Sequence, residues 1–343
     1  MQFDLLILGD TPDAWAAAET AAQLGRRTAV LRPDIDGRAA AAGVAAVLSA
    51  FADGALEGMT FQADDPRGLW NEAVRRHEQR IVRIGRDLDV RTWRGPVRLT
   101  GSNTAEVFID GTGLEIEAEL LLVAVGTTAR RPLGLSFDRQ RLLLPEQLPL
   151  LESRPRHVVV LGGNRTARAY SELFVAAGSA VTEIDAPGES TPPRACPPRV
   201  ADVLDLQRDA SGVRLRLSDG DTIEADAILF AADRIGATAS IGLSAVKLEP
   251  DETGRLWCDE DGRTWVRSIA AAGEVVGFPK SLRDDADAAR RLVLQHFTGT
   301  TIGRLDHPDV RRVPIPFSMR SETQRHTFNT PSIRPLLRVY DGV

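Results

Sequence analysis

Cysteine is almost missing from this chain. Its two cysteines, Cys196 and Cys258, lie far apart and outside any CxxC or metal-ligand spacing. That excludes a disulfide scaffold and leaves a zinc site without support. Long apolar runs are missing too: none reaches the ~18 residues that a membrane-spanning helix requires. The first residues enter a strand without a basic segment and apolar core, so no secretory leader is expected and the cytoplasm is the expected location. An excess of positive charge is also lacking. The net charge is −6, and no aromatic-studded basic stripe interrupts the acidic balance, which argues against nucleic acid as a partner. With 43% hydrophobic and 26% charged residues in 343, the composition is that of a folded chain large enough for two cores.

What is present begins with the apolar run Phe3-Asp4-Leu5-Leu6-Ile7-Leu8, the turn Gly9-Asp10-Thr11-Pro12-Asp13-Ala14 and an Ala-rich segment from Trp15 to Leu24. Thr11 or Asp13 suits a helix cap, Pro12 suits a first helical turn, and Gly25 suits the helix end. Thr28 to Leu31 returns as a second strand, which completes a βαβ unit of about 30 residues. The Ala-rich stretch from Arg38 to Ala52 predicts a core helix packed closely against the sheet. A polar helix follows Asp64-Asp65-Pro66, with apolar positions at Leu69, Ala73, Ile81, Ile84 and Leu88 and its arginines on a solvated face. Short strands are expected at 97–100, 106–109 and 114–118. The uniformly apolar Leu120-Leu121-Leu122-Val123-Ala124 has the pattern of a strand buried on both faces, and it ends in the turn Val125-Gly126-Thr127.

After a Pro- and Leu-rich connection, Arg131 to Pro155, the same grammar restarts. His157 to Leu161 is a strand, Gly162-Gly163-Asn164-Arg165-Thr166-Ala167 a turn, Arg168 to Ala177 a helix, and Ala180 to Ile184 a strand ending on Asp185. Two βαβ units at separate positions imply two dinucleotide-binding domains of Rossmann type, an α/β fold. A buried strand at 227–231, a strand near Ile269 and a helix from about Arg283 to Gln295 complete the ordered part. The segment beyond Gly299 carries scattered Pro and Arg and no expected element.

The pieces DLLILGDTPDAW, LLLVAVGTTARRP, HVVVLGGNRTARAYSELFVAAGSAVTEID, DAILFAADRI and SIAAAGEVVGFP occur here in the order found in flavoprotein pyridine nucleotide-disulfide oxidoreductases. The chain resembles that family from about Gln2 to Phe297, towards its soluble transhydrogenase branch from Leu217 to Leu282, alongside dihydrolipoamide dehydrogenase and glutathione reductase types. The resemblance implies two three-layer domains, the second inserted in the first. Residues 1–150 and 266–300 would form an FAD-binding-type domain, 151–265 a shortened NAD-binding-type domain, and 301–343 an irregular tail. It further implies FAD at Gly9, Ala14, Gly126, Gly273 and Glu274. NAD would lie at Gly162, Gly163, Ala167 and Asp185, and Arg234 matches an arginine that the family keeps after its late strand.

Several departures bear on function. The family's glycine loop has Gly at its first, third and sixth positions; these are Gly9, Thr11 and Ala14 here. Thr11 places a side chain where pyrophosphate would approach, and one unit charge from Asp10 or Asp13 at ~4 Å costs about 4 kcal/mol against an anion at an effective dielectric of ~20. Arg32 replaces the carboxylate that accepts ribose hydrogen bonds, a loss of roughly 1–3 kcal/mol. Asn164 replaces the close-approach glycine of the second loop. Asp284 and Asp285, at the start of the late helix, disfavour an anionic flavin. The stretch between Asp185 and Val203 is shorter than the family's helix and strand require. The segment directly after Arg32, where the family carries its redox pair, contains no cysteine, so disulfide reduction by the family mechanism has no thiolate to use there. The family's C-terminal dimerisation domain is not expected within this sequence. Three readings follow: a non-catalytic or altered relative, an FAD-dependent NADH oxidoreductase with an unknown acceptor, or a protein holding NAD alone. The first carries a structural expectation, that Asp10 and Arg32 pair within ion-pair range.

Overall fold

The computed structural model describes residues 1–33, 40–52, 54, 66–131, 135–185, 199–209, 212–283, 287–299 and 338–341. The chain opens with β1 (Gln2–Leu8), α1 (Pro12–Gln23), β2 (Thr28–Pro33), α2 (Ala40–Ala52) and α3 (Pro66–Leu88). It continues through β3 (Arg91–Gly95), β4 (Val97–Gly101), β5 (Thr104–Ile109) and β6 (Thr112–Val123). These strands form one sheet in the order β3-β2-β1-β6-β5-β4. Successive residues of β1 serve opposite faces: Leu5 and Ile7 join a core with α1 and α3, while Leu6 and Leu8 join a core on the other side. That two-sided burial is why β1 is apolar without alternation.

Strand β6 changes character along its length. Its first half alternates buried and exposed residues in an antiparallel pair with β5, and its second half is buried throughout beside parallel β1.

The connection expected between 131 and 155 is partly regular. After β7 (Thr127–Ala129), β8 (Leu142–Leu143) and a 3-10 turn at Pro145–Leu150 lie inside it. The second unit follows as β9 (His157–Leu161), α4 (Arg165–Ala176), β10 (Ala180–Asp185), β11 (Arg199–Val200), β12 (Val203–Arg208), β13 (Val213–Leu217), β14 (Thr222–Ala225) and β15 (Ala227–Phe230). A five-stranded parallel sheet takes the order β11-β10-β9-β15-β8. The short stretch after Asp185 thus still supplies a strand, β11, against expectation. The chain returns through β16 (Arg234–Gly236), β17 (Leu256–Trp257), β18 (Ile269–Ala271), β19 (Val276–Phe278), α5 (Lys280–Arg283) and α6 (Ala288–Thr298). Strand β18 pairs with β6 in the first sheet, and β16 pairs antiparallel with β7 where the chain crosses between the units. The mixed α/β, parallel-sheet architecture is the Rossmann-like fold expected.

Two elements differ from expectation. Helix α2 does not close over the first sheet: Val44, Val47 and Leu48 share a core with Trp70 and Ala73 of α3, Tyr170 and Phe174 of α4, and Val158 and Val160 of β9. Its small residues permit close approach to helices α3 and α4, so it ties the two units together. The tail is not wholly irregular either, because β20 (Arg338–Asp341) pairs parallel with β12. Asp284, Asp285, Cys196 and most of the tail lie outside the described residues.

Candidate functional site

Gly9 ends β1 with φ +148°, and a Cβ there would stand 2.0 Å from the Ala124 carbonyl oxygen. Only glycine lets the first loop lie this close to the end of β6. The next residues fill the loop from within. Thr11 caps α1: its hydroxyl oxygen accepts from Ala14 N–H at 3.3 Å and donates to the Ala124 carbonyl at 3.0 Å. One of the helix's free N–H groups is thereby satisfied by the chain itself. The Thr11 methyl also sits over Gly126, where a Cβ would be 2.9 Å from it.

Asp10 and Arg32 meet as expected, and they are part of a larger assembly. Arg32 donates through Nε to Asp10 Oδ2 at 3.0 Å and through NH1 to Glu78 at 3.0 Å. The other Asp10 oxygen accepts from Trp15 Nε1 at 2.9 Å and from His77 Nε2 at 3.0 Å. Arg32 and His77 are buried, and Asp10 is nearly so. Burial alone would raise the Asp10 carboxyl, but His77 and Arg32 outweigh it and hold Asp10 below the usual aspartate range. Asp10 is therefore ionised, so His77 Nε2 carries the hydrogen. Both carboxylate oxygens of Asp10 already accept from the protein's own donors.

Asp13 occupies the remaining anionic position. It is buried in the first turn of α1, where a negative charge is favoured by the helix dipole, and its Oδ2 accepts from Arg165 at 3.3 Å. Arg165 comes from the second loop, so this ion pair joins the two loops. A Cβ at Gly273 would lie 2.5 Å from Asp13 Oδ2. Burial raises the Asp13 carboxyl, with Glu274 adding to the rise and Arg165 opposing it.

Glu274 accepts from Thr127 Oγ1 at 2.6 Å, and that hydroxyl oxygen accepts from Arg234 Nε at 2.9 Å. Arg234 also donates to the Thr127 carbonyl at 2.7 Å and to Glu146 at 3.0 Å. The structure thus brings Gly9, Ala14, Gly126, Gly273, Glu274 and Arg234 to one region. Gly126 and Glu274, together with Asp10, Thr11, Asp13, Arg32 and Arg165, line one narrow cleft open to solvent.

The second loop repeats the first in a different residue. Asn164 caps α4 by accepting from Ala167 N–H at 2.9 Å, and its amide donates to the Ala231 carbonyl at 2.6 Å. Thr11 and Asn164 hold the same third position of their loops, and each ties its helix to the carbonyl just beyond the neighbouring parallel strand. Gly162, Gly163, Ala167 and Asp185 are gathered here, with the Asp185 carboxylate 2.5 Å from where a Gly163 Cβ would be.

Trp15, His77, Glu78, Thr127, Glu146 and Arg165 were not singled out from the sequence. For His77 a signal existed: Ala73, His77, Ile81 and Ile84 repeat at helical spacing, which places the imidazole on the buried face of α3. The described residues hold no cluster of His, Cys, Asp and Glu suited to a metal ion, and no helix long and apolar enough to cross a membrane. Cys258 is buried, and burial pushes its thiol up to about 12, far from a reactive thiolate.

The family model described as pyridine nucleotide-disulphide oxidoreductase matches residues 3–291. The chain belongs to this family. Members are FAD-dependent and use NAD(P) as substrate. Among curated relatives, the soluble pyridine nucleotide transhydrogenase of Chromohalobacter salexigens is 27% identical over 316 residues, covering 81% of this chain and 67% of that protein. The transhydrogenase of Marinomonas sp. (strain MWYL1) is 24% identical over 330 residues, covering 86% and 71%. Two solved structures share the fold. The HOCl-induced flavoprotein disulfide reductase RclA from Escherichia coli has a TM-score of 0.61 at 20% identity, covering 86% of this chain and 71% of that one. LpdA from Mycobacterium tuberculosis has a TM-score of 0.63 at 21% identity, covering 88% and 74%.

Proposed function

We propose that this oxidoreductase-family chain is a degenerate, non-catalytic or altered-function relative, a pseudoenzyme whose first dinucleotide site is closed by its own side chains. The observation that carries the reading is the Asp10–Arg32–Glu78 ion pairing with His77 and Trp15. A ribose would need a carboxylate acceptor at the end of β2; it meets a guanidinium already committed to two carboxylates. A pyrophosphate would need the N-terminus of α1; it meets the Thr11 cap and the buried Asp13 carboxylate. FAD does not fit residues arranged in this way, and no chemical step is routed through it.

The Asn164 cap extends the same reading to the second loop. Disulfide-reductase chemistry is lost independently, since the segment after Arg32 contains no cysteine. Titration of the apo-protein with FAD, followed by quenching of flavin fluorescence, tests the proposal. The expected result is no saturable binding in the micromolar range, and tight binding refutes it.

A second reading is favoured by the gathering of Gly126, Gly273, Glu274 and Arg234 beside one cleft, together with the transhydrogenase relatives. It makes the chain an FAD-dependent NADH oxidoreductase passing hydride to an unknown acceptor. NAD binding alone, at Gly162, Gly163 and Asp185, is the intermediate form. NADH titration separates these: saturation by NADH without any uptake of FAD supports NAD alone.

A further inference from the structure

The small sheet of the second unit runs β14-β13-β12-β20. Its outer strand, β20, is four residues long and lies parallel to β12. Without it β12 would be a sheet edge, a row of unpaired N–H and C=O groups that templates another strand. Strand β13 already holds the other side of β12, and β14 the other side of β13. The edge of β12 is therefore a place where one extended segment docks.

The register makes the docking selective. Asp205 stands opposite Arg338, Leu206 opposite Val339, Gln207 opposite Tyr340 and Arg208 opposite Asp341. Arg208 is engaged elsewhere, by the Ser136 carbonyl at 2.7 Å and by Asp138 at 3.4 Å. Asp205 accepts only from Gln207, at 3.4 Å, among the described residues. The end of the edge that selects a charge is thus the Asp205 end, and the segment brings an arginine to it. A slip of one residue would set Leu337 or Val339 opposite Asp205 instead.

Nothing in this pairing requires strand and edge to belong to one chain. Residues 300–337, between Gly299 and Arg338, reach at most about 130 Å when extended. The radius of gyration of a folded chain of this length is only about 20 Å. A four-residue pair at a sheet edge also lies at the weak end of local stability, so it opens while the cores stay folded. Each opened copy then carries a free strand and a free edge that match those of another copy. Two copies that close reciprocally restore both pairs and leave no edge over.

We propose that the chain dimerises by reciprocal strand exchange, with residues 338–341 of each copy docked on β12 of the other in the register seen here within one chain. The interface is independent of whether either dinucleotide loop is filled.

The test places Gln207→Cys and Tyr340→Cys in separate full-length chains, so that neither can form the 207–340 link by itself. Opposite positions on paired strands lie within disulfide range. The two chains are mixed at increasing concentration and mildly oxidised, and linked peptides are identified by mass spectrometry. A chain carrying both cysteines, which links within itself at high dilution, is the reference. The expected result is a 207–340 disulfide between the mixed chains whose yield rises with concentration, matched by a rising dimer fraction of the unsubstituted protein in sedimentation. Asp205→Arg in the Gln207→Cys chain is expected to cut that yield several-fold, and Arg338→Asp in the Tyr340→Cys chain to restore it. No link between mixed chains at concentrations where the reference links, no link in either, or a yield indifferent to the charge reversal would each overturn the proposal.

Discussion

Arg32 is the residue on which the first site turns. Its side chain is 8% exposed and bonded to two carboxylates, so removing it leaves Asp10 buried without its guanidinium partner. Breaking a buried pair in this way costs about 3–5 kcal/mol. Urea denaturation of Arg32→Ala is expected to show a loss of that order, with altered Trp15 fluorescence because the indole shares Asp10.

The acid limb of stability separates the two loop aspartates. Asp10 is lowered in the fold, so its contribution is present above the unfolded value of about 3.9 and is lost as pH falls through the lower folded value. Asp13 is raised, so its contribution is present below about 3.9 and is lost as pH rises through the higher folded value. Denaturation midpoints measured from acid to neutral pH are expected to lose the first component in Asp10→Asn and the second in Asp13→Asn.

At the scale of elements, the two loops depend on close backbone approach. Gly9→Ala sets a Cβ against the Ala124 carbonyl at a positive φ, and a loss of more than about 3 kcal/mol is expected from strain and clash combined. A thermal melt checks it, and a variant as stable as the parent would mean that the β1–α1 turn is not seated against β6. The strands and both βαβ units were legible because period and punctuation are local: Leu5 to Leu8 is apolar on both faces, and Gly25 and Gly178 end their helices. The seat of α2 was not legible. Ala-rich helices fit against any close-packed surface, and nothing within residues 40–52 specifies the second unit over the first. The role of Asn164 was half legible: its loss as a glycine was plain, but its bond to Ala231, 67 residues away, needs the folded sheet.

At the scale of the molecule, the two units meet through Arg165 and Asp13 and through the core that α2 and α3 share with α4. Family and fold were legible from five motifs in order, because each marks a strand end where the fold forces close approach. The fate of the first site was only partly so. Asp10 and Arg32 stand 22 residues apart in adjoining strand ends and announce their pairing, whereas Glu78 and His77 arrive from a helix whose position no local pattern dictates. The chain spans some two thirds of the length of its transhydrogenase relatives and belongs to the same oxidoreductase family. The most direct measurement is the visible absorption spectrum of the purified protein after incubation with excess FAD and removal of the free cofactor. A colourless protein is the expected result; a yellow protein with a stoichiometric flavin band would contradict the closed first site.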